Sequence, residues 1–266
     1  MIPKIIHYCW FGGAQKPKSV LRCIDSWKKH CPDFEIREWT EKDFDITQNE
    51  YTRQAYEARA WGFVPDYIRL WIIYNYGGFY LDTDVQVIKD LSPLCENSAF
   101  AGFEDSKQVA LGLGFGAEAG NMIIEAHMKI YDTLHFLEED GSYNKTPSPR
   151  YTTQLLKKLG LHDDNCEVQN LGDMVIYPKE YFCPKDFVTG LTTVTKNTFS
   201  IHHYDSSWFS EEQQMEKNKR WAEWVKIRRA ERKHYIMHIP NRILMTALGK
   251  EQYEKLKKRL KNNAHN

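Results

Sequence analysis

The segment Gly77-Gly-Phe-Tyr-Leu-Asp-Thr-Asp84 constrains this chain more than any other. Two glycines stop whatever precedes them. Three apolar residues then read as a short buried strand that runs straight into two carboxylates. Alternate residues of an extended chain face one way, so Asp82 and Asp84 project together from the strand's carboxyl end. In open α/β sheets, ligands bind at that edge. Paired carboxylates there suit a hard divalent cation, which takes oxygen donors and bridges phosphate oxygens. Their closeness argues against glycoside hydrolysis, which needs two carboxyl groups roughly 5–9.5 Å apart across the scissile bond. An isolated Asp-X-Asp is commonly a solvated turn. The Gly-Gly and strand in front of this one give it weight.

The residues before it set the fold class. Ile2–Trp10 reads as a strand buried on both faces, ended by Gly12-Gly13. Val20, Ile24 and Trp27 recur at helical spacing, and Phe34–Trp39 alternates as a second strand. A helix is expected over 49–60, and another from Pro65, which suits a first helical turn. Strand, helix, strand, helix, strand within about 90 residues indicates an α/β domain with a largely parallel sheet. Ala99–Phe103, Leu111–Ala117 and Met174–Tyr177 are further strand candidates, and 121–137 and 152–159 further helices. Glu138–Pro149 is polar and reads as a surface loop.

Three more constellations carry chemistry. Asp66 and Arg69 share a helix face at a spacing of three; they either pair with each other or face a ligand. His202 and His203 are adjacent on an extended segment and point to opposite faces, so one of them at most joins a metal readily. Trp10 stands at a strand end beside two glycines, where an aromatic can stack on a planar base.

Composition excludes some classes. The 266 residues hold 36 Lys/Arg and 36 Asp/Glu and are 14% aromatic. Disorder is excluded by that composition. A globally basic nucleic-acid binder is disfavoured, because no excess charge neutralises phosphates. The balance is uneven, however: residues 211–266 carry 15 basic and 7 acidic groups, and the remainder 21 and 29. Six cysteines without a CxxC pair suit reduced thiols in a cytosolic protein. Neither a signal peptide nor an apolar run of about 18 residues is visible. We expect a catalytic domain over 1–210 and a basic amphipathic helical extension over 211–266. That extension is a solvated helical pair, a protein-partner surface, or a dock for an anionic membrane on its cytoplasmic face.

Together, Pro3–Gly13, Val64–Leu70, Gly77–Val85 and Ile201-His-His with Ser207-Trp208 resemble the DXD sugar transferases of glycosyltransferase family 32. That family includes bacterial capsular-polysaccharide transferases and fungal mannosyltransferases. Leu111–Ala117 also resembles the bacterial branch. The resemblance implies a GT-A fold, with a Rossmann-like mixed sheet flanked by helices. It implies retention of anomeric configuration and transfer of a hexose or N-acetylhexosamine from a UDP- or GDP-sugar to a glycan or polyprenyl-linked acceptor. By the same resemblance, Trp10 stacks on the base, and Asp66 and Arg69 hold the donor sugar or ribose. Asp84 binds Mn²⁺ or Mg²⁺ directly, Asp82 bridges metal and ribose, and His203 is the third ligand. Ser207 and Trp208 close a loop over the diphosphate. The competing readings are a metal-dependent nucleotide-sugar hydrolase or phosphotransferase, and a sugar-binding module without catalysis.

Overall fold

The computed structural model of the chain describes residues 1–105, 107–164, 166–206, 209–238 and 248–262. In chain order the elements are β1 (Ile5–Cys9), α1 (Lys18–His30), β2 (Glu35–Trp39), α2 (Glu50–Glu57), α3 (Pro65–Tyr76), β3 (Gly78–Tyr80) and β4 (Val85–Val87). Then come β5 (Ala99–Phe103), β6 (Val109–Ala110), β7 (Phe115–Ala117), α4 (Met122–Tyr131), α5 (Ser148–Lys158), β8 (Gln169–Asn170) and β9 (Val175–Tyr177). The last are α6 (Lys179–Phe182), β10 (Ser200–His202), α7 (Glu211–His238) and α8 (Lys250–Asn262).

The fold is mixed α/β. The central sheet runs β2-β1-β3-β7-β5-β9-β8, with β6 on β5. Its N-terminal part is parallel, as the alternating pattern predicts: Ile6 lies between Ile36 and Phe79. The rest departs from the expected parallel sheet. β7 inserts antiparallel between β3 and β5, and β6 folds back on β5. A connection as short as 104–108 leaves no room for a crossover, so it can only make an antiparallel pair.

Local chemistry explains where the elements begin and end. α1 turns Val20, Cys23, Ile24 and Trp27 inward. Asn49 and Asn121 cap α2 and α4 with their side-chain oxygens. α3 starts at Pro65 and stops at Gly77, whose φ of 65° is open mainly to glycine. This stop is locked from β1. His7 is fully buried, accepts from Trp39 Nε1 at 3.0 Å and donates from Nε2 to the Gly77 carbonyl at 3.0 Å. Both ring nitrogens are therefore used by the neutral form, and burial holds His7 down at about 4.

β4 does not continue β3. It leaves the central sheet and pairs antiparallel with β10, Val85 opposite His202. The Trp27 indole of α1 donates to the Val85 carbonyl at 2.7 Å and fixes this departure.

The chain divides into two compact units. The first comprises Met1–Phe187 and Thr192–Gln214, and holds the whole sheet. The second comprises Val188–Leu191 and Met215–Asn266. Within the second, Arg220 Nε donates to the Val188 carbonyl, and Tyr253 of α8 is buried. Much of the apolar stretch 236–248 lies outside the described residues.

Candidate active site

β1 and β3 run parallel, and two antiparallel steps through β7 return β5 to the same direction. Their carboxyl ends therefore share one edge. A cavity of about 680 Å³ opens there, within the size range of small-molecule sites. Trp10 follows β1, Asp82 and Asp84 follow β3, and Glu104 follows β5; all line it. Asp66 and Arg69 enter from α3, and His202 and Asp205 from β10 and its continuation.

Asp66 and Arg69 are each only 5% exposed. Arg69 Nη2 lies 3.1 Å from Asp66, Nη1 lies 3.5 Å from Asp82, and Nε donates to the Pro65 carbonyl. Its guanidinium also covers the Tyr80 ring, 5.1 Å from the centroid. The two residues pair with each other, and both also line the cavity. Burial raises the Asp66 carboxyl to about 6 against the pull of Arg69. Burial likewise raises Asp82, again opposed by Arg69.

Asp84 is held differently. Its Oδ1 is 3.3 Å from His202 Nε2, and its Oδ2 accepts from the Asp205 amide at 2.9 Å. Burial opposes ionisation of Asp84, but the His202 charge and these hydrogen bonds overcome it and hold the carboxyl at about 2. The same pairing outweighs burial at His202 and lifts its imidazole well above the usual range. Asp205 stands between Tyr204 and Ser206, which adopt φ of 58° and 51°. Such strain in non-glycine residues persists only where the surroundings over-determine it.

The histidine beside Asp84 is His202. The expectation named His203, but its Nε2 lies 2.9 Å from Gln86 Oε1. The reason is strand alternation: once Val85 faces His202 in the β4–β10 register, the next ring must point away from Asp84. Trp10 does line the cavity; its indole donates to the Ala14 carbonyl, and Lys16 stands 5.6 Å from the ring centroid. Ser207 and Trp208 lie outside the described residues.

The donor chemistry of Asp82, Asp84 and His202 fits a Mn²⁺ or Mg²⁺-class cation: two hard carboxylates and one imidazole. His202 ligates only after releasing the proton that its pairing with Asp84 favours, while Asp82 is engaged by Arg69. Among the described residues no group of three such side chains is closed around a common point.

Several cavity residues were not singled out from sequence. Glu104 obeys the same strand-end rule that marked Asp82, and could have been found by it. Gly112 could not. An added Cβ there would overlap Asp82 Oδ2 and come within 3.2 Å of Arg69 Nη1. The 138–149 loop was expected at the surface, yet Lys145, Pro147, Ser148 and Pro149 line the cavity. Ser148 helps hold the Asp66 carboxyl down against burial.

Known proteins bear on this site. Residues 17–101 match the family described as "Glycosyltransferase sugar-binding region containing DXD motif". That span takes in Asp66, Arg69, Asp82 and Asp84. Inositol phosphoceramide mannosyltransferase 3 of Schizosaccharomyces pombe is 34% identical over 111 residues, which cover 37% of this chain and 29% of that protein. The likeness therefore reaches less than a third of that relative's length. Two solved structures are also similar. The PaToxG glycosyltransferase has 19% identity and a TM-score of 0.48, over 59% of this chain and 69% of its own. A glycosyltransferase involved in glycosylating the major capsid of PBCV-1 has 11% identity and a TM-score of 0.47, over 82% and 100%.

Proposed function

We propose that this protein is a metal-dependent, retaining glycosyltransferase of GT-A architecture. It moves a hexose or N-acetylhexosamine from a nucleotide-sugar to a glycan or lipid-linked acceptor, in the synthesis of capsular or other surface polysaccharide. One observation carries the reading: the Asp82/Asp84 pair, His202 and the buried Arg69–Asp66 pair meet in one cavity at the carboxyl edge of the sheet, with Trp10 in its wall. The family match over 17–101 supports it.

Each residue has a role in this scheme. Trp10 stacks on the nucleobase. Asp66 hydrogen-bonds hydroxyls of the donor sugar or ribose, held in place by Arg69. Arg69 places positive charge where the leaving diphosphate becomes more negative, which stabilises the transition state. A divalent cation held by Asp82, Asp84 and His202 would add positive charge at that diphosphate. The acceptor hydroxyl attacks from the face the diphosphate leaves, and a departing phosphate oxygen takes its proton. Ser207 and Trp208 complete the diphosphate side. The basic 211–266 extension docks on an anionic membrane surface, on the cytoplasmic side, where a lipid-linked acceptor is within reach.

The test is a donor panel with Mn²⁺: UDP-glucose, UDP-galactose, UDP-N-acetylhexosamines and GDP-mannose, the last included because of the mannosyltransferase relative. Slow nucleoside diphosphate release identifies the donor, and a glycosylated acceptor establishes transfer. Asp84→Asn must abolish Mn²⁺-dependent turnover while the variant stays folded. Full activity of that variant, or release with no dependence on the sugar, would overturn the proposal.

A further inference from the structure

Glu104 is the one carboxylate of the cavity wall, among those not already assigned, that follows a strand of the central sheet. Its backbone is fixed. The Glu104 amide donates to the Gln108 carbonyl at 2.8 Å, and the Asp105 carboxylate accepts from the Lys107 and Gln108 amides at 2.7 Å each. The turn after β5 is thus tied down, and Glu104 is held at the rim. The residue is half-buried and lines the cavity.

The other carboxylates around it are engaged. Asp66 pairs with Arg69, Asp82 faces Arg69, and Asp84 holds His202 and the Asp205 amide. Of the cations near it, His202 pairs with Asp84 at 3.3 Å and Lys179 leans on Asp186 at 3.8 Å. Among the described residues the Glu104 carboxylate makes no hydrogen bond and no ion pair. A half-sheltered carboxylate with free lone pairs calls for donors from a ligand.

Chemistry narrows that ligand. A carboxylate repels a diphosphate, so Glu104 does not face the leaving group. Hydroxyls of a sugar are neutral donors and suit it. Position narrows it further. Along the sheet, β5 lies two strands beyond β3, on the side away from β1 and Trp10; at roughly 4.8 Å per strand, that is about 10 Å past the aspartates. A donor laid from Trp10 across Asp82 and Asp84 leaves the β5 side for the next sugar.

We propose that Glu104 is an acceptor-binding residue: its carboxylate accepts a hydrogen bond from a hydroxyl of the sugar acceptor and orients it for attack. This rests on the glycosyltransferase reading above. The acceptor oxygen bonds to the anomeric carbon, the bond from that carbon to the phosphate oxygen breaks, and the nucleoside diphosphate leaves with the electron pair. The acceptor proton goes to the departing phosphate, and Glu104 is unchanged at the end.

The experiment uses the full chain with Mn²⁺, the donor found by the panel above, and p-nitrophenyl hexosides as acceptor probes. Glu104→Gln and Glu104→Ala are compared with wild type. A hydrogen bond to a charged group is worth enough to predict an acceptor KM raised about 10- to 100-fold in Glu104→Ala, with Glu104→Gln between. Donor KM, the Mn²⁺ midpoint and the melting temperature should stay at wild-type values. A shifted Mn²⁺ midpoint would make Glu104 a metal ligand, a raised donor KM would make it a donor group, and an unchanged acceptor KM would leave it no role; each overturns the proposal. Failure of the underlying reading looks different: wild type itself then transfers to no probe and releases no diphosphate from any donor.

Discussion

Gly112→Ala is the sharpest probe of how closely the site is built. Gly112 does not adopt a positive φ, so alanine can take its backbone conformation. The penalty is purely steric. The new methyl would overlap Asp82 Oδ2, approach Asp82 Cγ to 3.2 Å, and sit 3.2 Å from Arg69 Nη1. Restoring ordinary contact requires the carboxylate to move by about 1 Å. Asp82 cannot do so alone, because Arg69 holds it at 3.5 Å and is itself tied to Asp66 and the Pro65 carbonyl. A misplacement of about 1 Å costs roughly 100-fold in rate. Overpacking of a filled site costs about 1–3 kcal/mol, a melting shift of several degrees at most. Donor turnover with Mn²⁺ and thermal melting, measured on the same preparation, separate the two effects. A folded Gly112→Ala protein with wild-type turnover would show that Asp82 is not held where the chemistry needs it, and would refute this reasoning.

Other expectations follow from the same geometry. His202→Asn should raise the Mn²⁺ concentration needed for turnover by at least tenfold, while His203→Asn should change it little; the reverse order, read by Mn²⁺ titration of activity, would restore His203 as the ligand. His127 is fully buried on α4 with Nε2 unpartnered, and burial, helped by Arg69, holds it at about 3. The unfolded chain therefore binds the proton first as pH falls below about 6.5, and folded stability drops; by pH 5 the loss is about 2 kcal/mol. The stability gap between His127→Leu and wild type should widen in favour of the variant by that amount from pH 7 to pH 5, as urea unfolding will read, and a constant gap would contradict it. On α7, Lys219, Lys226 and Arg229 are exposed along one stripe. Reversing all three to Glu should cut sedimentation with anionic vesicles about 100-fold, at about 1 kcal/mol per basic residue near the surface; unchanged binding rejects membrane docking.

What could be read from sequence was what local rules encode. Val20, Ile24 and Trp27 gave α1 through their period, and Pro65 with Gly77 bounded α3. Asp82 was marked by the strand before it. What could not be read was set by pairing across the chain. Val85 follows β3 closely in sequence, but Trp27 and β10 draw it into a second sheet. That same register puts His202 and not His203 beside Asp84, which adjacency alone could not show. Residues 138–143 are exposed as their polarity suggests, but 145 and 147–149 line the cavity, and polarity does not distinguish a cavity wall from an outer surface. Gly112 matters for an atom it lacks, and its neighbours Asp82 and Arg69 are remote in sequence.

The charges of the site explain why it survives as a folded structure and why it is poised for a cation. Asp66 and Asp82 share Arg69, and Asp84 has His202. Glu104 and the exposed Asp205 also line the cavity, with Lys145 as a further cation. The wall thus has five carboxylates against three cationic groups, an excess of two negative charges even with His202 protonated. Water screens part of that excess at the rim, but Asp66 and Arg69 are too deeply buried to be screened much. To ligate a cation His202 must first give up its proton, which leaves three negative charges in excess, and one divalent cation would offset two of them. The overall neutrality of the chain conceals this, because the basic 211–266 segment offsets an acidic body. Neutralising one member of the wall should therefore matter least for stability where no partner depends on it. Glu104 can lose its charge without stranding another buried group, whereas removing Arg69 would leave Asp66 and Asp82 uncompensated, at a cost of several kcal/mol. A chain with Arg69→Met should fail to fold or should melt far below wild type, and Arg69→Met combined with Asp66→Asn should recover part of that loss. If the single variant melts like wild type, the Arg69–Asp66 pair is not what holds the site.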